Sequence, residues 1–230
     1  MAVAGMFDRK CLALTVLATA IGVANQAHAS MVSYFLDQAN AGAGLGDGVN
    51  YARVDVDDNT PSQIRFTVTL LNPVTQYQAT NFGLQEFTFN VVGAGAGPLT
   101  DATGSNAQWT LPSGWVADVA PPPNQADGFG RFDVSINTTG SGRLSPLTFA
   151  LLGSGLTLAS FQEASTNGNG EGNVFFAAHI TGYDVPANGA TSGYFGGSTL
   201  SSVPLPAALP LLLSGMLGFG AAGYRTRRKG

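Results

Sequence analysis

Apolar and polar residues alternate with a period of two along several short stretches of the chain. In the clearest one, Gln63 to Leu71, residues 64, 66, 68 and 70 are apolar, whereas residues 65, 67 and 69 are polar. The same alternation marks Val49 to Asp57, 87–91 and 131–136. Successive side chains of a β-strand point to opposite faces, so each stretch predicts a strand with one buried face.

Further apolar runs predict additional strands, and the segments between them predict turns. The runs are Trp115 to Val119, Leu147 to Leu152, Leu156 to Phe161 and Val174 to Ile180. The segments NAGAGLGDG, GAGAGP, APPPNQADG and TNGNGEG are rich in the residues that favour turns. No window of the region 30–203 has a sustained helical period with caps. The sequence therefore predicts an all-β fold of about eight or nine strands, a β-sandwich of jelly-roll or immunoglobulin-like topology.

The first 29 residues have the organisation of a secretory signal peptide. A basic pair precedes the apolar run 11–23, and Ala27 and Ala29 form an A-x-A cleavage site before Ser30. The apolar run is too short for a membrane-spanning helix. We therefore expect passage through the secretory translocon and removal of residues 1–29 by signal peptidase. The single cysteine lies in this segment, so the remaining chain has no thiol or disulfide.

The C-terminal end combines a proline motif, an apolar segment and a basic end. The apolar segment, 207–224, would span roughly 27 Å as a helix with a rise of ~1.5 Å per residue, just short of a hydrocarbon core of ~30 Å. It predicts a single transmembrane helix, with the basic end at 225–230 on the cytoplasmic side. An ordinary C-terminal membrane anchor is the alternative interpretation of this segment. The proline motif is Val203, Pro204, Leu205, Pro206 and Ala207, and the basic residues are Arg225, Arg227, Arg228 and Lys229.

Residues 203–230 closely resemble the PEP-CTERM family of sorting signals in its VPLPA variant. The similarity continues through LPLLLSG, GFGAAG and the terminal arginines, while Leu205 stands where the name-giving motif has Glu. The resemblance implies processing by an exosortase, a membrane-embedded cysteine protease or transpeptidase of bacteria that make exopolysaccharide. It implies an inner-membrane precursor that later reaches the cell surface or the medium. It also implies a role in an exopolysaccharide matrix or biofilm.

These features divide the chain into four parts: the signal peptide 1–29, a β-sandwich domain 30–183, a flexible linker 184–202 and the sorting tail 203–230. The linker is predicted because DVPANGATSGYFGGSTLSS is small, polar and uncharged after its first residue. In the alternative interpretation, 193–195 forms a last edge strand and the linker begins only at Gly196.

Charge excludes one class of partner. The region 30–203 contains thirteen Asp and Glu residues against four Arg and no Lys, a formal charge of −9. A phosphate backbone requires a basic face, so we expect no nucleic-acid partner. The balance is compatible with divalent cations.

One acidic cluster suggests a cation site. Asp55, Asp57 and Asn59, with Asp58 between them, copy the spacing of the first three ligands of a calcium loop. Thr60 and Phe66 then stand where such a loop needs Gly and its last carboxylate. The cluster is therefore a candidate Ca²⁺ site, and its alternative is two outward strand residues that run into a solvated turn. The loop 167–173, NGNGEGN, is a second and weaker candidate whose alternative is a plain hairpin loop. No other cofactor is indicated.

No catalytic frame is visible in the sequence. His179, the sole histidine of the region 30–203, lacks a G-x-S-x-G or H-E-x-x-H context and is predicted to bond a neighbouring carbonyl from a strand. Trp109 and Trp115 are candidates for stacking on sugar rings or, alternatively, for core packing. The prediction is an exported non-enzymatic protein. The main alternative is a carbohydrate- or calcium-binding module, followed by a secreted hydrolase.

Overall fold

Twelve β-strands make up most of the computed structural model, which describes residues 30–92, 108–153 and 155–200. Three short 3-10 turns and no α-helix occur among these residues. The strands are β1 Met31–Leu36, β2 Gln38–Ala39, β3 Ala52–Thr60, β4 Gln63–Leu70, β5 Gln78–Phe89, β6 Trp109–Thr110, β7 Trp115–Ala126, β8 Gly130–Thr138, β9 Leu147–Leu152, β10 Phe176–Tyr183, β11 Ser192–Gly197 and β12 Thr199–Leu200.

The strands form two antiparallel sheets, which confirms the all-β prediction. Sheet 1 has the order β12-β1-β3-β4-β9-β6, and sheet 2 has the order β2-β11-β10-β5-β8-β7. Strands β3 and β4 form a hairpin in which Val54 pairs with Val68 and Val56 with Phe66, all buried. The period-two pattern of 63–71 therefore buries its apolar face as expected.

A layer of phenylalanine rings joins the two sheets. On sheet 1, Phe66 stacks on Phe149 of the neighbouring strand with ring centroids 4.8 Å apart. On sheet 2, the ring of Phe89 stacks on that of Phe66 with centroids 5.0 Å apart. The ring of Phe161 meets that of Phe66 edge-on, and their centroids are also 5.0 Å apart. Burial of these large apolar side chains between the sheets is the main favourable term for the fold.

Two predicted elements differ from the structure. The predicted strand 156–161 is a 3-10 turn over Leu158–Phe161, because Thr157 and Ser160 form a reciprocal capping box. The predicted turn APPPNQADG mostly continues β7, whose pairing is irregular between Val119 and Asn124. Strand β7 lies at the edge of sheet 2, where prolines are tolerated, and its prolines fall in the interval that has no register partner on β8.

The predicted linker 184–202 is wrong over its second half. Strand β11 lies between β10 and β2 inside sheet 2, and β12 pairs with β1 at the edge of sheet 1. Phe195 of β11 is fully buried, with its ring 4.7 Å from that of Tyr51. The sandwich therefore continues to Leu200 rather than ending at 183, and the alternative of a strand at 193–195 is closer.

The predicted signal peptide and the sorting tail 203–230, with its helix 207–224, lie outside the described residues. Among the residues that are described, no helix has the length and apolar character needed to cross a membrane.

Candidate functional site

The predicted calcium cluster begins on the outer face of sheet 1, where Asp55 is almost fully buried. One carboxylate oxygen accepts a hydrogen bond from the Ser33 hydroxyl at 2.5 Å. The other oxygen accepts from Nε of Arg53 at 3.0 Å, and a second guanidinium nitrogen lies 2.9 Å from it. Ser33 is the register partner of Asp55 on β1. The carboxylate thus links β1 to β3, and both of its oxygens accept hydrogen bonds from side chains of the protein.

The other members of the cluster make separate contacts. Asp57 accepts from the backbone N–H of Asn59 at 3.3 Å, and Asp58 accepts from the backbone nitrogen of Ser30 at 2.8 Å. Within 30–92, 108–153 and 155–200, no three His, Cys, Asp or Glu side chains are grouped so as to hold a metal ion. These contacts secure the start of β1 to β3, and they leave the calcium prediction without a ligand cluster to support it.

Both tryptophans belong to the interior. Trp109 is 8% exposed and its ring packs against Phe89 and Phe149. Trp115 is 5% exposed and donates its indole N–H to the carbonyl of Gly142 at 2.9 Å. Neither ring offers a free face to a sugar, so core packing, the alternative interpretation, is the correct one.

A line of polar residues, the polar row, crosses the outer face of sheet 2. His179 on β10 pairs in register with Tyr194 on β11 and with Glu86 on β5, and Glu86 pairs with Asn137 on β8. The rings of His179 and Tyr194 stack at 4.6 Å with an interplanar angle of 11°. His179 makes no hydrogen bond to a described residue, so its predicted bond to a carbonyl is wrong.

Both oxygens of the carboxylate at the centre of the polar row accept a hydrogen bond. Tyr194 donates its hydroxyl to one oxygen of Glu86 at 2.7 Å, and Ser135 donates to the other at 2.6 Å. Further along, Asn137 donates to Asp118 at 2.6 Å. These two hydrogen bonds link β5 to β11 and to β8, so the Glu86 carboxylate serves the sheet.

The electrostatics of the polar row favour neutral rings. Burial lowers the pKa of His179, the nearby carboxylate of Glu86 opposes this, and Arg143 adds to the lowering. Burial, followed by repulsion from Glu86, raises the pKa of Tyr194. Near neutral pH the row therefore holds an uncharged imidazole stacked on a protonated phenol.

The clefts on the surface include two that are lined by described residues. The first, the Arg65 cleft, has a volume of about 400 Å³ and lies on the outer face of sheet 1. The second, the Arg131 cleft, has a volume of about 140 Å³ and includes Asp133 and Glu163 in its walls. Residues lining the first include Gln63, Arg65, Thr110, Leu111, Pro112, Thr148 and Ala150.

No protein-family model, curated protein or solved structure matches the chain.

From the sequence, Arg65 is predictable only as an outward residue of a strand. One feature of the sequence distinguishes it: Arg65 is the single charged residue on a strand face that otherwise carries Gln63 and threonines at 67 and 69. Of the predicted targeting residues, only Ser30 is described, as the partner of Asp58; Ala27, Ala29, the proline motif and the basic end lie outside the described residues.

Proposed function

We propose that the chain is an exported, non-enzymatic surface or extracellular-matrix protein whose C-terminal tail is cut by an exosortase. The observation that carries the proposal is the order of features in 203–230: a proline motif, an apolar segment of nearly bilayer length and a basic end. The predicted signal peptide likewise indicates export from the cytoplasm. The precursor is held in the inner membrane and then released or attached at the cell surface, where exopolysaccharide is a partner by resemblance.

The extent of the described sandwich supports this proposal. Strand β1 begins two residues after Ala29, and β12 ends three residues before Val203. The two strands pair with each other, with Tyr34 opposite Leu200. Because the packed strands fall between the two targeting segments, cleavage at either end leaves the hydrogen-bonded sheets intact.

The non-enzymatic role rests on the sequence and on the polar row. No nucleophile motif surrounds His179, and both oxygens of Glu86 accept hydrogen bonds from neighbouring side chains. The alternative of a calcium- or sugar-binding module through the acidic cluster or the tryptophans has less support, because those groups serve the sheets and the core.

We further propose the immunoglobulin-like topology rather than the jelly roll. The order β3-β4-β9-β6 in sheet 1 has the connectivity of strands A, B, E and D, and β11-β10-β5 in sheet 2 has that of G, F and C. The hairpin β7–β8 extends sheet 2 beside β5 and follows β6 along the chain, which is a departure from the variable-type pattern.

Motif variants in the native host test the sorting step. We expect Pro204→Ala combined with Pro206→Ala to accumulate as a membrane-bound chain, because an extended proline motif is what the protease groove would receive. Pro210→Ala is the matched control: it removes a proline from the apolar segment outside the motif and should be processed normally. Deletion of the host exosortase should reproduce the double variant.

Membrane fractionation and mass measurement of each variant give the readout. Normal processing of the double variant, or of the wild-type chain in exosortase-deleted cells, would refute the proposal. Equal retention of the control would assign the effect to the apolar segment instead of the motif.

A further inference from the structure

The Arg65 cleft has a floor made by a small residue between two polar walls. Strand β9 lies between β4 and β6, and Ala150 of β9 stands opposite both Arg65 and Thr110. Thr148 lies two residues along the same face, and Leu111 and Pro112 continue the wall beyond β6. Because the floor carries only a methyl group, the longer side chains on either side enclose a depression of about 400 Å³.

Arg65 is exposed and makes no hydrogen bond or ion pair with any described residue. By contrast, Arg53 is paired with Asp55, and Arg143 donates to the Asn81 carbonyl and to Gln85. No Asp or Glu lines the cleft. In a region with a formal charge of −9, an arginine left without a carboxylate beside a cleft is available to an external anion.

The nearest acidic neighbour by register is Asp57, which faces Arg65 from β3. It forms no ion pair with Arg65, and its carboxylate accepts the Asn59 N–H instead. Asp57 therefore opposes an anion at this position without occupying the guanidinium.

The side chains around the cleft define the chemistry of a ligand. A guanidinium presents a planar fork of N–H donors that matches a carboxylate. Threonine hydroxyls at 110 and 148 and the amide of Gln63 can donate to and accept from hydroxyl groups. Leu111 and Pro112 offer an apolar surface to the C–H face of a ring. A volume of about 400 Å³ lies within the range of small-molecule sites.

We propose that the Arg65 cleft binds a carboxylate carried on a hydroxylated ring, as in a sugar acid, either free or as a unit of an acidic polysaccharide. The carboxylate lies on Arg65, the hydroxyls lie against Thr110, Thr148 and Gln63, and the ring covers Ala150. This inference does not depend on how the protein is sorted, so it stands or falls separately from the exosortase proposal.

Titration of the protein purified from its native host tests the site, with heat or chemical-shift change as the readout. D-glucuronate and an oligomer of it are the probes, and D-glucose and acetate supply the hydroxyls alone and the carboxylate alone. We expect glucuronate to bind about tenfold or more tightly than either, the effect of one charge-assisted hydrogen bond. Tighter binding of the oligomer would assign the polysaccharide as source, and equal binding the free acid.

Matched variants locate the binding. Arg65→Gln should weaken glucuronate about tenfold or more, whereas Arg131→Gln, the same change at the other cleft, should leave it unaltered. Asp57→Asn should strengthen binding, and Ala150→Val should abolish it by filling the floor. All four positions lie on the surface or the outer face, and an unchanged melting temperature shows that a variant is folded. Equal affinity of wild type and Arg65→Gln, or acetate binding as tightly as glucuronate, would overturn the proposal.

Discussion

At the scale of one residue, burial on the outer face of sheet 2 favours the uncharged form of the His179 imidazole. Its ring is stacked on Tyr194, and Glu86, Tyr194 and Arg143 are the ionisable groups that act on it. Burial lowers its pKa more than the carboxylate raises it. The unfolded chain, with a pKa of about 6.5 for histidine, therefore binds the proton more readily than the folded chain.

This difference predicts a pH dependence of stability. As the pH falls through about 6.5, the unfolded state takes up a proton that the folded state resists, so the free energy of unfolding decreases. Above that pH both states are neutral at this residue and the dependence ends. Melting temperatures between pH 8 and pH 5 should therefore fall more steeply for the wild-type chain than for His179→Gln. Parallel curves for the two proteins would show that His179 does not contribute.

At the scale of the element, glycines in β11 allow neighbouring groups to pack closely against the strand. A Cβ at Gly196 would lie 2.6 Å from ring carbons of Phe129, and Phe129 is itself fully buried in a small cluster with Ala126, Val174 and Ala177. The ring therefore has little room to move away. The glycines that made this segment resemble a linker are the ones that let it pack as a strand.

Gly196→Ala tests this description of β11. We expect a loss of about 1–3 kcal/mol in the free energy of unfolding, the usual cost of overpacking. Gly140→Ala is the control, because a Cβ there meets nothing within 4 Å and its φ is not in the left-handed region. The control should be neutral or slightly stabilising. Urea unfolding of both variants gives the comparison, and equal stabilities would mean that β11 is a loose segment.

The difference between local sequence patterns and contacts with distant residues explains how far the fold could be predicted from the sequence. Strands β4 and β8 were predictable because the period of two is visible in the residues themselves, and β9 was predictable from its apolar run. The turn at 158–161 was taken for a strand because its apolar run masked the local capping pair of Thr157 and Ser160. Strand β11 was predicted only as an alternative, since a glycine-rich strand depends on neighbours distant along the chain. The Arg65 cleft was missed for the same reason: it exists only when β4, β9 and β6 lie side by side.

At the scale of the whole molecule, a folded sandwich lies between the two predicted targeting segments. The sandwich extends from Met31 to Leu200, and its first and last strands pair at one edge of sheet 1. Six of the ten basic residues of the chain lie outside this region, so the proposed removal of both ends would leave a strongly acidic product. Its remaining arginines are few, which makes an unpaired one such as Arg65 chemically distinctive.

The central claim is that the tail is a temporary sorting signal, and intact-mass spectrometry of the protein from its native host tests it most directly. We predict a mature species that lacks residues 1–29 and the whole segment 209–230, with its C-terminus within or next to 203–207. A wild-type protein that keeps residues 209–230 in exosortase-containing cells would contradict the claim and leave the tail as a permanent membrane anchor.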